Sequence, residues 1–201
     1  MRRFNLTKLE AGERFRLEKS FGLDNIRVEL TFEGADLDVQ AWLLDQGGII
    51  VNDEAFVFYN SENRSEAFDK AKFGNKANYF KNTRPMSADG AVLGAKDETR
   101  GGIETINITL SKVATEVQEI VVSSTVYDDG KSFGNVSSAK ITVIDEETNE
   151  ELCQYELSQD FGTENACVVG AFIVNSGGDW EFEARGNAYS GGLQTLIDMF
   201  A

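Results

Sequence analysis

Two clusters of acidic side chains have the spacing from which this 201-residue sequence could do chemistry. Asp36 and Asp38 lie two apart at the head of the run Leu37-Asp38-Val39-Gln40-Ala41-Trp42-Leu43-Leu44-Asp45. In a strand, alternate residues share a face with Cα atoms roughly 6.5–7 Å apart. Both carboxylates can therefore reach one ion while Leu37 and Val39 point inward. That chemistry is the binding of a hard cation: calcium takes six to eight oxygens at about 2.3–2.6 Å, whereas magnesium dehydrates reluctantly and prefers phosphate-bearing partners. The second cluster is Asp97-Glu98-Thr99-Arg100-Gly101-Gly102-Ile103-Glu104, whose glycines let backbone carbonyls turn towards a metal. Taken alone, the Asp36–Asp38 pattern favours an ordinary acidic strand entry, since 34 acidic residues produce such pairs by chance, and the glycines of the second cluster also fit a flexible turn.

Other chemistry is narrowed by what the chain lacks. It has no histidine, which removes the commonest zinc ligand, the usual general base and every triad built on imidazole. Two cysteines, Cys153 and Cys167, fall inside apolar runs and outside any Cys-x-x-Cys pair, so they read as buried thiols and a poor reductant. The net charge of −15 disfavours nucleic acid and anionic membranes, since phosphate recognition needs a basic face. It equally suits simple solubility and a store of carboxylates for a cation. No run is apolar enough to span a membrane, and no apolar segment follows the basic start Met1-Arg2-Arg3, so a cytoplasmic location is expected.

The elements that must position these residues are mostly strands. Ile26, Val28, Leu30 and Phe32 alternate with Asn25, Arg27, Glu29 and Thr31. The same period of two marks Phe15 and Leu17, Ile106 to Leu110, and Trp180 to Ala184, as in strands with one wet face. Ile120 to Val122 and Ala166 to Val174 are apolar on both faces and suit central strands. With turns at Gly47-Gly48, Asp129-Gly130 and Ser176 to Asp179, the pattern predicts an all-β, two-sheet sandwich of about ten strands spanning 1–201 as one domain. Leu193, Leu196, Ile197 and Phe200 have helical spacing and predict a short C-terminal helix.

Alternation vanishes between Ser61 and Ala88, which predicts a helical or irregular insert. It carries Arg64, Lys70, Lys72, Lys76, Lys81 and Arg84 against Glu62, Glu66 and Asp69, interleaved with Phe68, Phe73, Tyr79 and Phe80. Lys70, Lys72, Lys76 and Lys81 could form a docking surface for an acidic partner, including a second copy of the chain. The plainer reading, an elaborated loop with aromatics on a sheet and solvated lysines, is preferred.

In order along the chain, the segments resemble the TerD family associated with tellurium resistance. They are Asp36 to Asp45, Phe56-Val57-Phe58-Tyr59-Asn60, Asp89-Gly90-Ala91-Val92, Ser132-Phe133-Gly134-Asn135-Val136, Val143 to Leu152, Asp160 to Ala166, and Tyr189-Ser190-Gly191-Gly192-Leu193. The resemblance omits only 61–88. It implies a two-sheet sandwich, calcium binding, and a non-enzymatic place in a bacterial response to tellurite, phage and chemical stress, with other Ter-type proteins or self-association as partners. It turns the acidic pair at Asp36 and Asp38 into expected calcium ligands. Asp97 matches the family's aspartate, Glu98 its asparagine and Glu104 its closing glutamate. The family's paired aspartates are replaced by Gly102 and Ile103 in a shorter loop, so weaker binding, of one ion where relatives hold two, is expected. Asn60, Asp89, Asp128, Asp160 and Glu164 also match family positions, where each could donate an oxygen or cap a turn.

Two other functions are kept in view. One is a sandwich that binds a cyclic nucleotide or sugar beside a structural or bridging calcium, with Trp42 and Trp180 as candidate platforms, although both suit a core. The other is a carboxylate hydrolase, which needs two carboxyls about 5–9.5 Å apart across a cleft and draws nothing from the resemblance.

Overall fold

The alternation becomes two six-stranded sheets in the computed structural model, which describes residues 5–17, 22–95, 102–127, 130–157 and 162–201. The strands are β1 (Thr7–Leu9), β2 (Arg14–Leu17), β3 (Asn25–Glu33), β4 (Leu37–Leu44), β5 (Phe56–Val57) and β6 (Val92–Leu93). They continue as β7 (Gly102–Thr109), β8 (Glu119–Val126), β9 (Ser138–Asp145), β10 (Glu150–Glu156), β11 (Ala166–Val174) and β12 (Trp180–Tyr189). The first sheet has the order β1-β10-β9-β3-β7-β6 and the second β2-β12-β11-β8-β4-β5. Neighbours are antiparallel except β1, which runs parallel to β10. The strands beyond the expected ten include the short edges β1, β5 and β6, of two or three residues each. Periodicity cannot flag elements that short.

Inward side chains of both sheets meet in one core. Ile26, Val28, Leu30 and Phe32 from β3 join Val39, Leu43, Val122, Phe172 and Phe182 from the second sheet. Each such burial contributes about 1.5–3 kcal/mol. Cys153 and Cys167 are free thiols in this core. Burial pushes Cys167 up to about 12 and Cys153 higher still, so neither presents a thiolate.

The second sheet is also covered on its outward face. The C-terminal helix α3 (Gly192–Phe200) sets Leu196 and Phe200 against Trp42, Leu44, Val121 and Ala171. Two covered faces explain why β8 and β11 read as continuous apolar runs. Trp42, completely buried here, stacks on Phe56, whose ring stacks in turn on Phe58. Trp180 is buried as well. The tryptophans are thus packing residues, and neither offers a ligand platform.

The insert folds into two short helices, α1 (Lys70–Phe73) and α2 (Lys76–Asn82), started by side-chain caps from Asp69 and Asn75. Two of its cations are structural. Arg64, 5% exposed, donates Nε to Thr83 Oγ1 (2.7 Å), Nη1 to the carbonyls of Tyr59 and Ser61, and Nη2 to those of Phe80 and Thr83. Arg84 donates to the carbonyls of Gly94, Leu93 and Thr105 and to Asn107 Oδ1, tying the insert across β6 onto β7. A covered edge cannot recruit a foreign strand. No described helix is long and apolar enough to cross a membrane.

Candidate functional site

Strand registers decide which acidic residues share an end of the sandwich. Phe32 and Glu33 at the close of β3 pair with Gly102 at the start of β7 and Ser138 at the start of β9. Leu37 at the start of β4 pairs with Val126 at the close of β8. Ala166 at the start of β11 lies between Thr125 and the final β12 residue, Tyr189. The chain therefore turns through 34–36, enters β7, leaves β8, and enters β9 and β11 at one and the same end.

Asp36, Asp38, Glu104 and Glu164 all stand at this end. Asp36 and Asp38 are half-buried; the Asp36 carbonyl accepts from the Tyr127 amide (3.0 Å), and Asp38 lies opposite Thr125. Leu37 and Val39 point into the core, so Asp38 faces outward from the second sheet. Glu104 is 4% exposed and sits in the inward row of β7, opposite Leu30 and ahead of Ile106 and Ile108. Strands β4 and β7 touch across the sandwich. The Glu164 carboxylate accepts from the Thr163 amide (3.1 Å), and its carbonyl from that of Phe133 (2.9 Å).

The frame under these residues is close-packed. Residues Phe133–Asn135 form one 3-10 turn, started by a reciprocal cap between Ser132 and Asn135. Ser132 Oγ donates to the Gly162 carbonyl (2.7 Å), and Ser137 donates its amide to the Glu33 carbonyl (2.9 Å). Gly34 has φ +111°, and a Cβ there would collide with the Asn135 carbonyl oxygen; a Cβ at Gly134 would collide with the Gly162 carbonyl oxygen. Only glycine lets the three turns meet. Asn165 completes the frame: its Oδ1 accepts from Gly191 and Gly192, fixing the entry to α3.

Behind Asp38 runs a buried polar chain. Trp42 Nε1 donates to Ser123 Oγ (2.8 Å), Ser123 to Gln40 Oε1 (2.9 Å), and Gln40 Nε2 to Thr125 Oγ1 (2.9 Å), the residue opposite Asp38. Spacing offered no sign of this chain beyond polar residues recurring every second position in β4 and β8. An aromatic row follows the same strand: Phe58 meets Tyr59 edge-on, and Tyr59 meets Tyr127 edge-on at 6.2 Å. Both tyrosines are exposed, and Asn60 is exposed beside them.

The remaining sequence candidates divide. Asp97, Glu98, Asp128 and Asp160 lie outside the described residues. Asp89 is at the opposite end, where it caps a turn: its carboxylate accepts from Ser87 Oγ (2.6 Å) and from the amides of Ala91 and Ala114. Among the described residues, no group of three or more Asp, Glu, Cys or His side chains could hold a metal ion. Of the insert lysines, Lys72 pairs with Glu66 and Lys76 with Glu62, while Lys70 and Lys81 are exposed with no ion pair among the described residues. With Arg64 and Arg84 turned inward, the insert is far less basic in space than in sequence.

Comparison with known proteins agrees with this architecture. The family model described as TerD domain matches residues 6–200. General stress protein 16U of Bacillus subtilis is 32% identical over 168 residues, covering 80% of this chain and 75% of that protein. Tellurium resistance protein TerD of Serratia marcescens is 31% identical over 172 residues, covering 82% and 77%. The crystal structure of a homologue of telluride resistance protein (TerD) from Streptomyces coelicolor superposes with a TM-score of 0.60 at 18% identity, covering 87% of this chain and 95% of that one.

Proposed function

The chain belongs to the TerD family, and from that premise we propose that it is a calcium-binding, non-enzymatic module of a bacterial stress-response system. The calcium would be held at the end of the sandwich that carries Asp36 and Asp38. The observation that carries the reading is the register: Asp36, Asp38, Glu104 and Glu164, scattered over 129 residues of sequence, share one end. The described residues supply a two-carboxylate start at Asp36 and Asp38, and calcium needs six to eight oxygens. Asp97 and Glu98 precede β7, Asp128 follows Tyr127, and Asp160 precedes Glu164; these are the residues expected to complete the shell.

A bound dication would neutralise part of a net charge of −15 and join turns that otherwise carry like charge. The metal's role is then to order a surface for a partner. The exposed Tyr59 and Tyr127, beside Asp36, supply the aromatic part of that surface. Lys70 and Lys81 remain as its basic counterpart on the insert. A sugar or cyclic nucleotide ligand would rest on this tyrosine pair, since both tryptophans are buried.

The test is isothermal titration of calcium into chelator-treated protein, with melting followed in parallel. Calcium at a hundred times its dissociation constant stabilises by about 2.7 kcal/mol. For a chain of this size that raises Tm by about 5–10 °C. The Asp36→Asn, Asp38→Asn double variant should lose both responses. The absence of both heat and a melting shift at millimolar calcium would reject the metal site.

A further inference from the structure

The buried polar chain on the outward face of the second sheet can run in one direction only. An indole N–H donates and never accepts, and a carbonyl oxygen accepts and never donates. Trp42 Nε1 therefore donates to Ser123 Oγ, which sends the serine proton on to Gln40 Oε1. At the other end Gln40 Nε2 donates to the Asp38 carbonyl (3.2 Å), so the side of the carboxamide facing Asp38 is the nitrogen. The second proton of that nitrogen goes to Thr125 Oγ1, directly across the ladder from Asp38.

The two ends of the chain meet different parts of the molecule. Both hydrogen bonds of the Gln40 nitrogen end at the level of Asp38, one on its own backbone and one on the residue opposite. At the other end the Trp42 ring is stacked on Phe56 with centroids 3.8 Å apart, and it lies 5.3 Å from the Phe200 ring of α3. In between, Trp42, Ser123, Gln40 and Thr125 are each 5% exposed or less. Hydrogen bonds in so dry a place are stronger than in water, and each polarises the next.

We propose that Gln40 is a positioning residue for Asp38, and that this chain couples the Asp38 end of the sandwich to Trp42 and α3. Gln40 ties β4 to β8 beside Asp38, which sets the bearing of the carboxylate from beneath. A change of charge at Asp38 acts on the Thr125 and Gln40 dipoles and passes through Ser123 to the indole. The coupling is reciprocal: α3 seated on Trp42 and a cation at Asp38 alter each other's equilibrium by the same factor. This deepens the calcium reading of that end, and rests on it for the identity of the charge that arrives.

The experiment follows the two indole N–H signals of the full chain by proton–nitrogen correlation NMR. Trp180, which belongs to the core between the sheets, is the internal control. In calcium-free protein, Asp38→Asn should move the Trp42 signal by more than the Trp180 signal, and in a Gln40→Leu or Ser123→Ala background it should no longer do so. Calcium titrated into the wild type should move the same Trp42 signal. Gln40→Leu should also weaken calcium binding about 10–100-fold, the usual loss when the residue that holds a metal ligand is removed. Ser123→Ala cuts the chain above Gln40; it should silence Trp42 at a far smaller cost in calcium affinity. Calcium bound by the wild type, with a Trp42 signal that answers neither to the metal nor to Asp38→Asn, overturns the proposal and leaves the metal site standing. A Trp42 signal that answers to Asp38→Asn in protein that takes up no calcium supports the chain and rejects the metal instead. Wild-type calcium affinity in Gln40→Leu overturns the positioning role.

Discussion

Replacing Arg64 by methionine should loosen the insert more than any other single change within it. Methionine keeps the aliphatic stem but removes five hydrogen bonds: one to the Thr83 hydroxyl and four to the carbonyls of Tyr59, Ser61, Phe80 and Thr83. It also removes the guanidinium lying 4.6 Å from the centre of the Phe80 ring. At about 0.5–1.5 kcal/mol net per hydrogen bond the gross loss is about 2.5–7.5 kcal/mol. Burial opposes the charge, lowering the Arg64 pKa below its ordinary value, so part of that loss is returned when the guanidinium goes. A net cost of about 3–4 kcal/mol is expected, a factor of roughly 100–1000 in the opening equilibrium of the segment. Hydrogen exchange measured by mass spectrometry on peptides covering 61–84 reads that opening directly. Arg64→Lys should rescue little, since one ammonium cannot reproduce a planar fork that serves five acceptors. Exchange in 61–84 unchanged from wild type in Arg64→Met would refute the idea that this cation organises the insert.

Four further outcomes are expected. Gln40→Leu breaks the chain from Trp42 to Thr125 and should cost about 1–3 kcal/mol in urea denaturation. Gly34→Ala forces a side chain into left-handed backbone against the Asn135 carbonyl, and should cost at least about 2–3 kcal/mol by the same assay. Asn165→Ala removes the cap on the first amides of α3, and should lower stability by about 1 kcal/mol with increased exchange near Gly191. The buried thiols set an alkaline limit. Their folded pKa values lie above the ordinary 9.0, so the unfolded chain releases protons that the native chain retains. Their contribution is complete below about pH 9 and is lost as pH rises towards about 12, at about 1.4 kcal/mol per pH unit per thiol. Cys167→Ala should make the decline of stability between pH 9 and 11 shallower than in wild type by about that slope.

How much of this was readable in advance depended on whether the signal was local. The alternation from Asn25 to Phe32 appears as β3, and the doubly apolar run from Ala166 to Val174 appears as β11 under α3, because burial of one face or two writes a periodicity. The insert was recognised as a break in pattern, but its charge misled. Arg64 and Arg84 enter the sequence only as part of the insert's positive charge, and nothing in spacing reveals the backbone carbonyls that each guanidinium serves. Asp89 stood in a family motif, yet its carboxylate is spent on a turn at the far end. That Asp36, Asp38, Glu104 and Glu164 stand at one end is a matter of strand register, which sequence spacing does not encode.

The most direct test of the metal-site account is a crystal structure of the chain grown at saturating calcium, with the ion identified by anomalous scattering. The account predicts a calcium at the Asp36 end with carboxylate oxygens of Asp36 and Asp38 at about 2.3–2.6 Å, completed by ligands from the turns that meet there. Density at that end holding only water around Asp36 and Asp38 would contradict it.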